Sequence, residues 1–197
     1  ADHGVVPVPE VRHDQGLPGQ RVGSETVACL QKVGEQLAKK YGVDSWLVPG
    51  PRLVPGLIEL TGRPRVELEK ETAGLLEQCP AVEAVWISSE MQSGVDERDH
   101  FRWLHANSFY PERSADFLIQ FEKFFMPSVG LVTTHGSPYD YDTHVPFIVM
   151  APLLEPKILD IRTRTVDLAP TLANLVGIPV PEEVDGRVLV DRAPSSP

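Results

Sequence analysis

The sequence has little cysteine: Cys29 and Cys79 are its two cysteines in 197 residues. Their number and separation exclude a zinc knuckle, which needs several ligands at close spacing. Two interpretations stay open, a single disulfide formed in an oxidising compartment and two buried free thiols. Neither cysteine is expected to act in catalysis.

Long apolar runs and clusters of basic residues are also missing. No run approaches the roughly 20 apolar residues of a membrane-spanning helix, and the first residues lack the pattern of a signal peptide. Asp and Glu number 28 against 18 Lys and Arg, which gives a formal net charge of −10. The sequence therefore predicts no membrane segment and no nucleic-acid-binding surface. An anionic substrate would need metal ions to offset this charge.

The composition that remains is that of a globular protein. Hydrophobic residues make up 42% of the chain and charged residues 23%, enough for one core of ordinary size or two small ones. Apolar residues at helical spacing predict a helix from about Glu25 to Tyr41, capped by Ser24 and ended by Gly42. The further elements predicted up to residue 121 are strands at Trp46–Val48 and Leu57–Leu60 that form a hairpin-like pair, a helix at Arg65–Leu76, a strand at Val82–Ser88, a helix at Glu97–Ala106 and a strand at Asp116–Phe121.

Two apolar patterns follow in the last third of the chain. The continuous run Phe147–Met150 predicts a strand that is buried on both faces, as in a parallel sheet. A final helix is expected to begin near Thr165, a candidate cap, and to end at Gly177. Asp167 lies in its first turn and is interpreted as structural. Its predicted buried stripe consists of Leu168, Leu172, Leu175 and Val176.

Two short His-Gly loops carry the residue types of a metal site. His135 and Gly136 lie in a polar loop just ahead of the apolar run, and ligands of parallel sheets collect in loops beside strand ends. At the start of the chain, Asp2 places a carboxylate beside the imidazole of His3, and Gly4 allows the backbone to turn tightly.

At these residues the sequence resembles the alkaline phosphatase superfamily, most closely the secreted bacterial alkaline phosphatases related to nucleotide pyrophosphatases and phosphodiesterases. The segments that carry the resemblance are 1–7, 110–114, 134–146, 165–171 and 184–187. It implies an α/β fold: the C-terminal part of an alkaline-phosphatase-like α/β/α core with an inserted α+β subdomain. The core would comprise residues 1–20 and 108–197, and the insertion residues 21–107.

The resemblance implies two zinc ions and assigns three of their ligands. Asp2 and His3 match ligands of the zinc that also holds the nucleophile, and His135 matches a ligand of the zinc that faces the leaving group. The nucleophilic Thr or Ser and the other ligands lie N-terminal to these segments in the family. The chain is therefore expected to be part of a longer enzyme, to contain no nucleophile and to be inactive alone. The family's location implies a periplasmic or secreted protein.

Several polar residues near these loops are assigned supporting roles. Asp142 and His144 are expected to orient a metal ligand or to hold the loop rather than to bind zinc directly. His100 and His105 are five residues apart on a predicted helix, whereas residues four apart share a helix face, so they are interpreted as surface or supporting residues.

The function that the resemblance implies is zinc-dependent hydrolysis of phosphate monoesters through a phospho-enzyme. One alternative is a phosphodiesterase or nucleotide pyrophosphatase of the same superfamily. The residues Ser137, Pro138 and Tyr139 after the second His-Gly pair favour the monoesterase. A catalytically inactive domain that binds a metal or a partner is the alternative from another class.

Overall fold

The computed structural model describes residues 1–92, 94–127, 130–151 and 154–190. The chain divides into a larger unit, Gly4–His144, and a smaller unit made of Ala1–His3 and Val145–Pro197. The predicted boundaries at residues 20/21 and 107/108 fall inside the larger unit and stay a prediction. None of the helices in the described ranges is long and apolar enough to cross a membrane.

The larger unit combines short strands with helices. Its helices are α1 (Pro9–Asp14), α2 (Ser24–Tyr41), α3 (Leu57–Thr61), α4 (Arg65–Leu76), α5 (Ser88–Met91), α6 (His100–Ser108) and α7 (Asp140–Thr143). Its strands are β1 (Gln20–Arg21), β2 (Leu47–Val48), β3 (Arg52–Leu53), β4 (Val82–Ile87), β5 (Phe117–Phe121) and β6 (Phe125–Met126). β1 pairs with β6 in parallel, whereas β2 pairs with β3 and β4 pairs with β5 in the antiparallel sense.

The core of this unit lies where α2 and α4 meet β4 and β5. Leu37, Trp46, Leu68 and Phe117 are almost completely buried there. Burial of each such side chain contributes about 1.5–3 kcal/mol. The indole nitrogen of Trp46 donates to the Thr72 hydroxyl at 2.9 Å, so the one polar atom of the indole is also satisfied.

The two long predicted helices are present. α4 has the predicted bounds, and α2 ends at Gly42, which adopts the left-handed conformation with φ of 68°. The predicted cap of α2 is wrong. Ser24 is the first residue of the helix, Gly23 occupies the cap position, and no side chain caps the terminus.

The prediction of a strand at Leu57–Leu60 is wrong, because these residues belong to the short helix α3. Gly56 and Gly62, both left-handed, bound that helix. The partner of β2 is instead β3, where Leu47 pairs with Leu53. The residues Pro49, Gly50 and Pro51 therefore lie in the turn of a hairpin, whereas Pro55 and Gly56 precede a helix.

A buried carboxylate ties α4 to its neighbours. Glu69 is fully buried and accepts hydrogen bonds from Arg65 at 2.7 Å, the Ser88 hydroxyl at 2.7 Å and the Ser89 backbone at 3.1 Å. Arg65 also pairs with Asp116, which accepts a bond from the Leu53 backbone at 2.8 Å. Buried charges are tolerated when they are paired in this way.

The cysteines are joined. A disulfide links Cys29 in α2 to Cys79, three residues beyond the end of α4, across a sequence separation of 50 residues. This resolves the alternatives that the sequence left open in favour of the disulfide.

In the smaller unit, the predicted strand Phe147–Met150 is wrong. These residues form no strand, and Ile148 and Met150 are 86% and 96% exposed. An apolar run becomes a strand only when another strand pairs with it, and no described residue does so.

The last helix forms, but its predicted buried stripe is wrong. A 3-10 turn, Thr165–Asp167, leads into α8, Leu168–Val176, and Thr165 lies inside the turn rather than capping it. Leu168, Leu172 and Val176 are all at least 45% exposed. The packed face instead consists of Asp167, Pro170 and Thr171, and its polar members hold the segment after residue 184.

Asp167 and Thr171, one helical turn apart, are the polar members of that face. Asp167 accepts backbone hydrogen bonds from Arg164 at 2.8 Å and Arg187 at 2.9 Å, and Thr171 accepts one from Leu189 at 3.1 Å. Burial alone would raise the pKa of Asp167, but the bonds from Arg187 and Arg164 outweigh it and hold that pKa below its usual range.

Candidate metal centre

The loop that carries His135 is held by hydrogen bonds at both of its ends. At its start, the Val6 backbone N–H donates to the Thr134 carbonyl at 2.9 Å, and the Thr133 hydroxyl donates to the Val6 carbonyl. Val6 is itself buried. His135, in contrast, is an exposed residue.

Gly4 lies against the other end of this loop. Its N–H donates to the Asp142 carbonyl at 2.8 Å, and a Cβ atom built on Gly4 would lie 1.9 Å from the Tyr141 carbonyl oxygen. Only glycine fits so close an approach between two backbones. Gly4 is the first residue of the larger unit and follows His3 directly in the chain.

Replacement of Gly4 by alanine is expected to destabilise the larger unit by about 1–3 kcal/mol, because the loop backbone must move to admit the methyl group. The midpoint of urea unfolding would measure the change. Gly74→Ala is the matched control: nothing lies within 4 Å of its added Cβ in α4, so up to about 1 kcal/mol of stabilisation is expected there. Equal midpoints for the two variants would contradict the close approach.

Asp142 braces the same loop from within. It is 5% exposed, and its Oδ2 accepts hydrogen bonds from the Ser137 backbone at 2.7 Å and the Ser137 hydroxyl at 2.6 Å. Its Oδ1 is buried and has no hydrogen-bond partner within the described part of the chain. A buried carboxylate oxygen normally has a donor or a cation as its partner. His144, by comparison, is exposed.

Tyr139 anchors the loop to the sheet. Its buried hydroxyl lies 2.7 Å from the Phe121 carbonyl, accepts a bond from Gln120 at 3.3 Å and contacts Glu83. Burial, followed by the hydrogen bond with Glu83, raises the pKa of the Tyr139 phenol, so it stays protonated at neutral pH. The partners of Tyr139 lie on β4 and β5, and no local sequence pattern marks them.

The Asp2–His3 pair belongs to the smaller unit. Asp2 Oδ2 lies 3.8 Å from His3 Nε2, and the two side chains are 90% and 40% exposed. A backbone hydrogen bond within Asp2, followed by the nearby His3, holds the pKa of the Asp2 carboxyl below its usual range. Two donors about 2.0–2.1 Å from a tetrahedral zinc lie about 3.4 Å apart, so the pair fits one ion after a small side-chain rotation.

No group of three or more His, Cys, Asp or Glu side chains in the described ranges is arranged to hold a metal ion. The assignment made from the sequence gives one zinc ion the two ligands Asp2 and His3 and the other zinc ion the single ligand His135, so it requires no such group of three within this chain. The convergence of Asp2 and His3 with His135 therefore stays a prediction.

The histidines of α6 make packing contacts. The ring of His105 lies 6.0 Å from that of Trp86, and the ring of His100 stacks on Trp103 at 6.5 Å. Burial lowers the pKa of His105. Its Nε2 is buried without a hydrogen-bond partner among the described residues.

Comparison with solved structures identifies the class of fold. The crystal structure of wild-type alkaline phosphatase PafA matches 96% of this chain with a TM-score of 0.78, at 19% identity and over 36% of its own length. The predicted α/β fold is therefore confirmed as part of an alkaline phosphatase fold. No model of a known protein family matches the sequence.

The chain belongs to the alkaline phosphatase superfamily. It is 30% identical over 96% of its length to alkaline phosphatase PhoK of a Sphingomonas species. It is 34% identical over 64% of its length to alkaline phosphatase PhoD of Zymomonas mobilis. The resemblance found in the sequence is therefore confirmed. The chain spans 36% and 23% of the length of these relatives.

Proposed function

We propose that this chain is part of a zinc-dependent hydrolase of phosphate monoesters that acts through a phospho-enzyme. The observation that carries the proposal is the similarity to two alkaline phosphatases, over 96% and 64% of the chain. The two His-Gly loops support it with the donor types that zinc prefers. The nucleophilic Thr or Ser is expected outside these 197 residues.

Asp2 and His3 would hold one zinc ion, and His135 would hold the other. When bound, a pair of zinc ions supplies Lewis-acid stabilisation of the attacking and leaving oxygens. Asp2 would contribute a carboxylate oxygen and His3 an imidazole nitrogen to the first ion. Asp2, His3 and His135 are all exposed residues.

Asp142 and His144 would orient this machinery. The buried Oδ1 of Asp142 has no hydrogen-bond partner among the described residues and would accept a bond from an imidazole N–H; such carboxylate–imidazole bonds fix the ring of a metal ligand. His144 follows α7 directly and would steady the end of the loop. A periplasmic or secreted location is supported by the Cys29–Cys79 disulfide, since such bonds persist in oxidising compartments.

The full-length protein is expected to hydrolyse an aryl phosphate monoester faster than the corresponding diester. Removal of metal by a chelator is expected to abolish turnover, and zinc to restore it, because the proposed site depends on zinc for charge stabilisation. Initial rates on both substrates, with and without chelator, measure this. Faster diester hydrolysis would favour the phosphodiesterase alternative, and absence of turnover with both substrates would favour the inactive binding domain.

A further inference from the structure

Phe124 has an unusual backbone for a bulky residue. Its φ is +69°, in the left-handed region that residues with a Cβ rarely adopt. It occupies the third position of a turn in which the Phe125 N–H donates to the Glu122 carbonyl at 2.9 Å. Glycine is favoured at turn positions with positive φ, so a phenylalanine here indicates a requirement for its side chain.

The ring of Phe124 joins two parts of the larger unit. The Arg12 guanidinium carbon, on α1, lies 3.6 Å from the ring centroid, and the ring of Tyr141, on α7, lies 5.3 Å from it. The Phe124 carbonyl also accepts a hydrogen bond from Gln20 at 3.2 Å, which fixes the backbone that presents the ring. Phe124 thus supports α7 from the side of α1 and β1.

Tyr141 is the residue whose carbonyl oxygen lies against Gly4. The Asp142 and Thr143 amides donate to the Tyr139 carbonyl at 3.0 Å, and the Gly4 amide donates to the Asp142 carbonyl. A shift of the Tyr141 ring would therefore move the backbone on which Gly4 rests. Gly4 is bonded directly to His3, and α7 follows His135 in the same loop.

We propose that Phe124 is a positioning residue for the loop of His135: its ring, held by Arg12, supports Tyr141 and through it both α7 and Gly4. The contacts of the Phe124 ring are sufficient evidence that it supports α7. Its consequence for metal ligands rests on the proposed function. The sequence alone does not mark Phe124 as a turn residue, because the residue expected at a turn position with positive φ is glycine.

Hydrogen exchange in the full-length protein tests the support of α7. Phe124→Gly keeps the turn but removes the ring, and exchange at the Gly4, Asp142 and Thr143 amides is expected to become at least about 10-fold faster. Phe124→Tyr keeps an aromatic ring and should restore near-normal exchange. Ala81→Gly is the matched control, because Ala81 also has a positive φ, of 64°, and lies in the turn before β4, and it should leave these amides unchanged. Unchanged exchange in Phe124→Gly would overturn the proposal.

Zinc affinity, measured by competition with a chromophoric chelator, tests the consequence for the site. Phe124→Gly is expected to weaken zinc binding about 10-fold or more, the usual effect of losing a residue that orients a ligand, and Phe124→Tyr to restore it. Faster exchange with unchanged zinc affinity would overturn the link to the ligands. Absence of zinc binding by the wild type would overturn the proposed function, while the exchange experiment still decides whether Phe124 supports α7.

Discussion

Replacement of His135 by alanine is expected to lower kcat/KM for an aryl phosphate by at least about 100-fold in the full-length protein. Loss of a ligand from a catalytic zinc removes charge stabilisation at the leaving oxygen and disorders the ion itself. Steady-state kinetics at saturating zinc, together with the zinc content of the purified variant, would measure both effects.

His100→Ala and His105→Ala are the controls for this prediction. Their rings pack on Trp103 and Trp86, so their loss is expected to cost stability with less than a tenfold change in kcat/KM. His144→Ala is expected to lower kcat/KM by about 10–100-fold, between the effects of these controls and of His135→Ala, because His144 is proposed to steady the loop. Equal losses for His100, His105 and His135 would place the metal on α6 rather than in the loop.

Removal of the disulfide, by the double change Cys29→Ala and Cys79→Ala, is expected to lower the free energy of unfolding by about 2–4 kcal/mol. The bond closes a long loop between α2 and the end of α4, and it therefore restricts the unfolded chain. Alanine is a suitable replacement because Cys79 is buried and a serine hydroxyl would lack a partner there. Urea unfolding of the two proteins under oxidising conditions measures the difference.

A reducing agent supplies the internal control for the disulfide. It should lower the unfolding midpoint of the wild type to about that of the double variant and leave the double variant unchanged. A wild-type midpoint that does not respond to reduction would contradict a structural role for the bond. A strong response would also support the proposed oxidising location, since a stabilising disulfide is useful only where it persists.

The sequence by itself determined the elements and residues whose signals are local. The helix Arg65–Leu76 has its predicted bounds and α2 ends at the predicted Gly42, because helical periodicity and a terminal glycine act within a few residues of chain. Asp2, His3 and His135 were identified by short motifs. The family that these motifs indicated is confirmed by the relatives, whereas their roles as ligands stay a prediction.

Only the tertiary structure decided what depends on distant partners. β2 pairs with β3, and Leu57–Thr61 forms a helix instead of the predicted partner strand. Phe147–Met150 is no strand, and no described segment pairs with it. Contacts between residues far apart in sequence likewise account for the Cys29–Cys79 bond and for the approach of Gly4 to Tyr141. The left-handed backbone of Phe124 depends on contacts of this kind. An apolar sequence pattern indicates that a face of a helix or strand can be buried. Burial or strand pairing stabilises the fold only when a complementary surface is present.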